Sequence, residues 1–305
     1  MSIDRNGYLW WYVDALSDDE EHGLTLIALI GSVFSPYYAW SRQRGDADPL
    51  NHCALNVALY GRRGKRWAMT ERGRNELERT ADSLTIGPST LHWEGDALVI
   101  DIDEIGAPIP SRLRGQVRVY PAAVNGRDFA LDSAERHRWW PIAPISRVEA
   151  NFDNPKLSWS GAGYLDSNRG SEPLEQAFQG WDWSRAELKD SAAILYDTRA
   201  RDAQGASLAL RFDAQGRAED FEPPPRVPLP TTSVWRIGRG TQCEPGHEAK
   251  VIDTLEDTPF YARSVVETRL LGQKAHSVHE SLCLDRFSSG WVKVLLPFRM
   301  PRISR

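Results

Sequence analysis

Arg136–Pro144 reads R-H-R-W-W-P-I-A-P, and Trp159–Asn168 reads W-S-G-A-G-Y-L-D-S-N. Read as β-strands, both stretches pair side chains at i and i+2 on a common face. His137 then sits beside Trp139, and Tyr164 beside Asp166. If the two strands are neighbours, an imidazole, an indole, a phenol and a carboxyl group surround one point. Gly161 and Gly163 flank the second pair and would let another chain or a ligand approach the backbone.

The sequence outward from this centre has the same short β period. Tyr8–Val13, Leu24–Phe34 with a break at Gly31, and Arg114–Tyr120 are strand-like runs. Two hairpins are expected. Ala54–Tyr60 and Arg66–Glu71 flank G-R-R-G-K, and Leu91–Trp93 and Ala97–Ile102 flank E-G-D. Asn75–Ser83 could hold a short helical turn. On the C-terminal side Ala192–Thr198, Ser207–Phe212, Ser233–Ile237, Ala249–Ile252, Tyr261–Leu271, Val278–Leu284 and Gly290–Leu296 read as strands. The prolines from Pro223 to Pro230 mark a loop or a sheet edge. Many short strands and few long helical periods predict an all-β protein of sandwiches or barrels.

The chain has 305 residues, enough for two domains and a sizeable core. A boundary near Ile145–Ala150 gives domains of 1–147 and 148–305. The formal net charge is −5, which argues against a nucleic-acid partner. Cys53, Cys243 and Cys283 are scattered and odd in number, consistent with a reducing compartment. The start M-S-I-D-R-N-G lacks the basic and apolar regions of a signal peptide. The longest apolar run, Gly23–Phe34, is too short to span a bilayer. A cytoplasmic protein, soluble or peripheral to the membrane and not secreted, is the expectation.

Longer blocks carry a resemblance. W-S-G-A-G-Y-L-D-S-N is followed by E-P-L-E at Glu172–Glu175 and W-D-W-S-R-A at Trp181–Ala186. G-S-V-F-S-P-Y-Y-A-W at Gly31–Trp40, E-D-T-P-F-Y-A-R-S at Glu256–Ser264 and L-L-P-F-R-M-P-R at Leu295–Arg302 belong to the same set. Together they resemble the bacterial carotenoid 1,2-hydratases, also called hydroxyneurosporene synthases, nearly end to end. The resemblance implies two lipocalin-like β-domains. It also implies addition of water across the terminal C1=C2 bond of an acyclic carotenoid such as neurosporene or lycopene. Asp166, His137, Tyr164 and Trp139 fall where the family motif has its catalytic positions.

That chemistry needs a proton donor, because an unactivated alkene has no electrophilic carbon. Protonation at C2 leaves a tertiary cation at C1 for water to attack. Asp166 is the candidate acid, since burial disfavours carboxylate charge; otherwise it caps the turn Asp166-Ser167-Asn168. His137 is the candidate partner, bonded to Asp166 or ordering the water. Trp139 and Tyr164 can offer π faces to the cation. For each of these three, ordinary packing or a backbone bond is the competing explanation. Trp159, Tyr37, Tyr38 and Trp40 are candidates for binding the polyene, the last three as an aromatic gate or as packing beneath a loop.

Weaker signals surround this set. His276 and His279 suggest metal ligands, but i and i+3 on a strand point to opposite faces. No metal or other cofactor is expected, and no nucleotide motif occurs. Glu280 and Asp285 are reserve acids. The basic loop with Arg62, Arg63, Lys65 and Arg66 reads as a solvated turn. The C-terminal L-L-P-F-R-M-P-R-I-S-R mixes apolar and cationic residues, suiting contact with an anionic inner or intracytoplasmic membrane surface. A lipocalin-like pericyclase or a carrier that binds carotenoid unchanged are the competing functions. Neither needs a buried acid.

Overall fold

The computed structural model describes residues 3–61, 64–201 and 204–303. Arg62 and Arg63 of the basic loop lie outside the described residues. The chain divides into two compact units. The first gathers the chain up to Asp128, His137–Pro173 and the chain from Lys293 onward; the second holds Phe129–Arg136 and Leu174–Val292.

In the first unit the long strands are β1 (Tyr8–Ser17), β2 (His22–Ile30), β3 (Cys53–Gly61), β4 (Ala97–Gly106), β5 (Ser111–Pro121), β6 (His137–Asn154) and β7 (Leu157–Gly170). They pair in the order β3-β2-β1-β7-β6-β5-β4, and shorter strands extend both ends into a fourteen-stranded sheet. The path is open, with Arg302–Ile303 at one edge and Leu77–Arg79 at the other. It is lipocalin-like without being a closed barrel. Alternation fixes its core. Val13 and Ala15 of β1, Leu24, Leu26 and Ala28 of β2, Val57 and Leu59 of β3, Ile100 of β4, Val117 of β5 and Leu165 of β7 form one buried aliphatic cluster. The residues between them on β1 and β7 point to the opposite face.

In the second unit the strands are β8 (Phe178–Leu188), β9 (Ser191–Ala200), β10 (Ser207–Asp213), β11 (Lys250–Asp257), β12 (Tyr261–Leu270) and β13 (Gln273–Cys283). Together with Ala218–Asp220 they form a seven-stranded antiparallel sheet in the order β10-β9-β8-β13-β12-β11. A two-stranded ribbon, Arg226–Leu229 with Arg239–Gln242, belongs to the same unit.

The two hairpins form at the expected places: Leu59 pairs with Arg66, and Glu94 with Ala97 across Gly95-Asp96. Other local expectations differ from the structure. The position 147/148 falls inside β6, an 18-residue strand hydrogen-bonded on through this stretch, and the compact units divide the chain elsewhere. Pro36–Gln43 is a helix, α1, not a loop: Ser35 caps it by accepting from the backbone N–H groups of Tyr37 and Tyr38, and Pro36 fits the first turn. Gly290–Arg299 is also a helix, α2, not a strand. Its apolar Trp291, Val294, Leu295 and Phe298 follow a helical period that a short valine- and leucine-rich run conceals. Ser233–Ile237 is a loop, held by the Asp257 carboxylate accepting from the N–H groups of Val234 and Trp235. Of the expected turn at Asn75–Ser83, only the single 3₁₀ turn Arg74–Glu76 is helical.

Candidate functional site

The site lies on the first unit's sheet, on the face opposite the aliphatic core. Strand β7 runs between β1 and β6. Tyr12 stands across from Asp166, Asp14 across from Tyr164, and Tyr8 across from Gly170. On the other side Trp139 stands across from Asn168 and His137 across from Gly170. The β6–β7 register slips between Trp140 and Ala143 and again between Ala143 and Ser146. Pro141 and Pro144 fall in this stretch, where a strand lacks ladder donors and tolerates bulges. Above the slips, His137 and Trp139 keep the face of Tyr164 and Asp166. Trp139 of the first pair meets Tyr164 and Asp166 of the second.

Their hydrogen bonds converge on one oxygen. Trp139 donates its indole N–H to Asp166 Oδ2 at 2.8 Å, and the Tyr164 hydroxyl donates to the same oxygen at 2.8 Å. The indole N–H also reaches the Tyr164 hydroxyl at 3.2 Å. Trp139 thus meets the acid through its N–H edge, in addition to any use of its ring face. All three side chains are buried, with Trp139 and Tyr164 at 0% exposure and Asp166 at 5%. Burial pushes the Tyr164 phenol well above its usual range, and the neighbouring Asp166 and Asp14 carboxyl groups push in the same direction. Tyr164 is therefore a neutral donor across the physiological range.

His137 is placed differently from expectation. Its Nδ1 is 2.8 Å from the Tyr8 hydroxyl, and its Nε2 is 3.4 Å from Glu172 Oε1. The Tyr8 ring stacks on Trp10 at 4.8 Å and lies 5.8 Å from the His137 ring, while Tyr12 meets Tyr164 edge-on at 6.1 Å. Gly170 is required here, since a Cβ would stand 2.5 Å from the Tyr8 ring and 2.7 Å from His137 Nδ1.

The sequence reading missed Tyr8, Tyr12, Asp14 and Glu172. Asp14 is fully buried, and Tyr12 donates to it at 3.3 Å. A signal was present: Tyr12-x-Asp14 repeats the spacing of Tyr164-x-Asp166. The expected strand ended one residue short of Asp14.

The remaining candidates stand apart from this cluster. Trp159 packs against the aliphatic core, on the other face of β7. Gly161 and Gly163 open that same face, to the Leu16 backbone and the Val148 side chain and not to a ligand. Tyr38 is sealed in, donating to the Gly7 carbonyl at 2.7 Å and packing on His52 at 4.7 Å. Tyr37 and Trp40 meet edge-on along α1. Glu280 is engaged by Arg263 and, at 2.8 Å, by the Tyr261 hydroxyl, and Asp285 pairs with Arg201 at 2.5 Å. His276 faces Glu267, whereas His279 is buried against the Gly240 carbonyl. Among the described residues no group of three His, Cys, Asp or Glu side chains is gathered as a metal site.

By its strands, open sheets and buried aromatic–acid face, the protein is a lipocalin-like all-β protein. Solved structures share that fold: a candidate AttH from Nitrosomonas europaea has a TM-score of 0.57 at 17% identity, covering 92% of both chains. CghA with Sch210972 has a TM-score of 0.55 at 10% identity, covering 91% of this chain and 88% of that one. Sequence comparison narrows the class. Residues 26–305 match the model of the carotenoid hydratase CrtC family, and the chain belongs to that family. The acyclic carotenoid 1,2-hydratase of Thiocapsa roseopersicina is 68% identical over 99% of this chain and 75% of its own length. That of Rubrivivax gelatinosus is 56% identical over 98% of this chain and 74% of its own.

Proposed function

We propose that this chain is a hydro-lyase that adds water to the terminal C1=C2 bond of an acyclic carotenoid such as neurosporene or lycopene. The observation that carries the reading is a buried carboxyl group, Asp166, held by two neutral donors on an aromatic face, in a chain so similar to acyclic carotenoid 1,2-hydratases. A pericyclase or a carrier gives no reason for this acid.

The geometry supports the following reaction. Trp139 and Tyr164 both donate to Oδ2, so in the neutral acid the transferable proton rides on Oδ1. That proton passes to C2, the π pair forms the new C–H bond, and C1 becomes a tertiary cation. The carboxylate left behind is stabilised by the same two donors, which strengthen as charge develops on the oxygen. The rings of Tyr8, Trp10, Tyr12, Trp139 and Tyr164 supply the π-rich surroundings that a desolvated cation favours, at roughly 0.5–2 kcal/mol per well-placed face. Water attacks C1, and its surplus proton returns to the Asp166 carboxylate. The acid is regenerated, and the sum is one water added with no redox change and no need for a cofactor.

His137 has both ring nitrogens engaged by Tyr8 and Glu172, which supports a positioning role over that of general base. It holds Tyr8 and, through Tyr8, the aromatic wall. The substrate is a membrane lipid, so peripheral contact with a bilayer forms part of the proposal. Among the described residues no helix is long and apolar enough to cross a membrane. The test is direct: purified protein is incubated with lycopene or neurosporene in detergent and the products are resolved by mass. A product heavier by one water supports the reading; unchanged carotenoid, or an isomer of equal mass, refutes it.

A further inference from the structure

Helix α2 presents a stripe that nothing in the proposed reaction uses. Trp291 is 49% exposed, Val294 62%, Leu295 45% and Phe298 66%. The spacing of i, i+3, i+4 and i+7 puts all four on one side of the helix, while Val292 and, just beyond the helix, Met300 are buried. Large exposed apolar side chains are ordinary when scattered and informative when contiguous. At the start of the helix Trp291 stacks on Trp235 at 5.8 Å.

The charge around the stripe identifies its occupant. Helix α2 itself carries Lys293 and the exposed Arg299, whose guanidinium lies over the Trp67 ring at 4.8 Å, and no acidic residue; Arg302, just beyond, is tied to Glu71. An apolar helical face with tryptophan at one end and flanking cations matches an anionic bilayer surface: the apolar side chains enter the acyl boundary while the cations meet the headgroups. A second copy of this chain fits less well, because a symmetric contact would set these cations against each other.

We infer that the apolar face of helix α2 is a lipid-docking surface that seats the protein on anionic membranes. The inference rests on the proposed function for its purpose, since a polyene substrate resides in the bilayer, but its evidence is independent of the catalytic residues. The experiment is flotation of the full chain with vesicles of phosphatidylcholine, alone or mixed with phosphatidylglycerol, comparing wild type with V294S/F298S. Both substituted positions are exposed, and neither belongs to the catalytic face. Wild type is expected to float with the mixed vesicles and to be released by high salt; the variant should bind at least about tenfold more weakly. The variant should keep its circular dichroism and its turnover of detergent-dispersed carotenoid. Wild type that stays in the aqueous layer with both vesicle types, or a variant that floats as wild type does, would overturn the inference. So would a variant that changes only oligomeric state, which would assign the stripe to self-association. Vesicle binding through the stripe without any hydration of carotenoid would remove the proposed function and leave the docking surface standing.

Discussion

The two units use the same antiparallel construction to opposite ends. The first fills its sheet with leucine, isoleucine and valine and carries its polar machinery on the other face. The second has a small apolar cluster, built on Ala186, Leu188, Leu195 and Leu270. It also buries an ionic and hydroxylic network. Asp182 is held by Arg199 at 2.7 Å and also by Arg226 and Ser281; Arg226 and Gln242 reach on to Asp197. Arg239 donates to Ser264 at 2.7 Å and to Thr254 at 3.0 Å. A hydrocarbon core tolerates no unpaired charge, so a unit of the first kind can hold one carboxyl group as a reagent on its back face. In the second unit Asp182, Asp197 and Glu280 are spent on structure, tied to arginines. Buried charge therefore does not by itself mark a catalytic group; the kind of donor does. Asp166 is held by neutral N–H and O–H donors, Asp182 by guanidinium groups.

The sharpest break of that comparison is Asp166→Asn. The variant is nearly isosteric, should fold with an unchanged melting temperature, and should lose about 10⁴-fold in turnover, the upper end for general acid catalysis. Turnover within a few-fold of wild type would take the acid role from Asp166. Asp182→Ala should do the reverse. It strands two arginines that are each nearly half exposed, so water screens part of the loss, and about 2–3 kcal/mol of stability should go. Turnover per folded molecule should hold, as read by chemical denaturation alongside activity.

Trp139→Phe asks how much the N–H edge matters apart from the ring. Phenylalanine keeps a π face but cannot donate to Asp166 Oδ2. A hydrogen bond to a group that becomes charged contributes roughly 1.5–3 kcal/mol, so turnover should fall about 10- to 100-fold. Unchanged turnover would reduce Trp139 to its ring. The smallest effect is one of pH. Burial holds His279 below its usual value of 6.5. Folded protein then binds fewer protons than unfolded protein as pH drops through the unfolded value, so stability present above about 6.5 is lost below it. His279→Gln should flatten that slope in melting temperature between neutral and mildly acidic buffers, and an equally steep slope would place the sensitivity elsewhere.

Much of this was legible in the sequence. The period of two that makes strands also assigns faces, so His137 with Trp139 and Tyr164 with Asp166 could be paired before any coordinates existed. The same alternation sets Trp159 on the wrong face for Asp166, seven residues along an unbroken strand. What stayed hidden depends on register. Which residue of β1 lies beside Tyr164 is set by strand pairing, so Asp14 and Tyr8 were invisible as neighbours. The partners of His137 depend on the slips around Pro141 and Pro144. Helix α2 was missed because β-branched and leucine residues fit either period over so short a run.

The central claim is that Asp166 delivers a solvent-exchangeable proton to C2 before water attacks C1. Turnover of lycopene in deuterated water, with the product mapped by mass fragmentation and NMR, tests it most directly. The account predicts one solvent deuterium at C2 for every hydroxyl at C1, and neither label in the Asp166→Asn protein. A hydroxylated product carrying no solvent deuterium at C2 would contradict it.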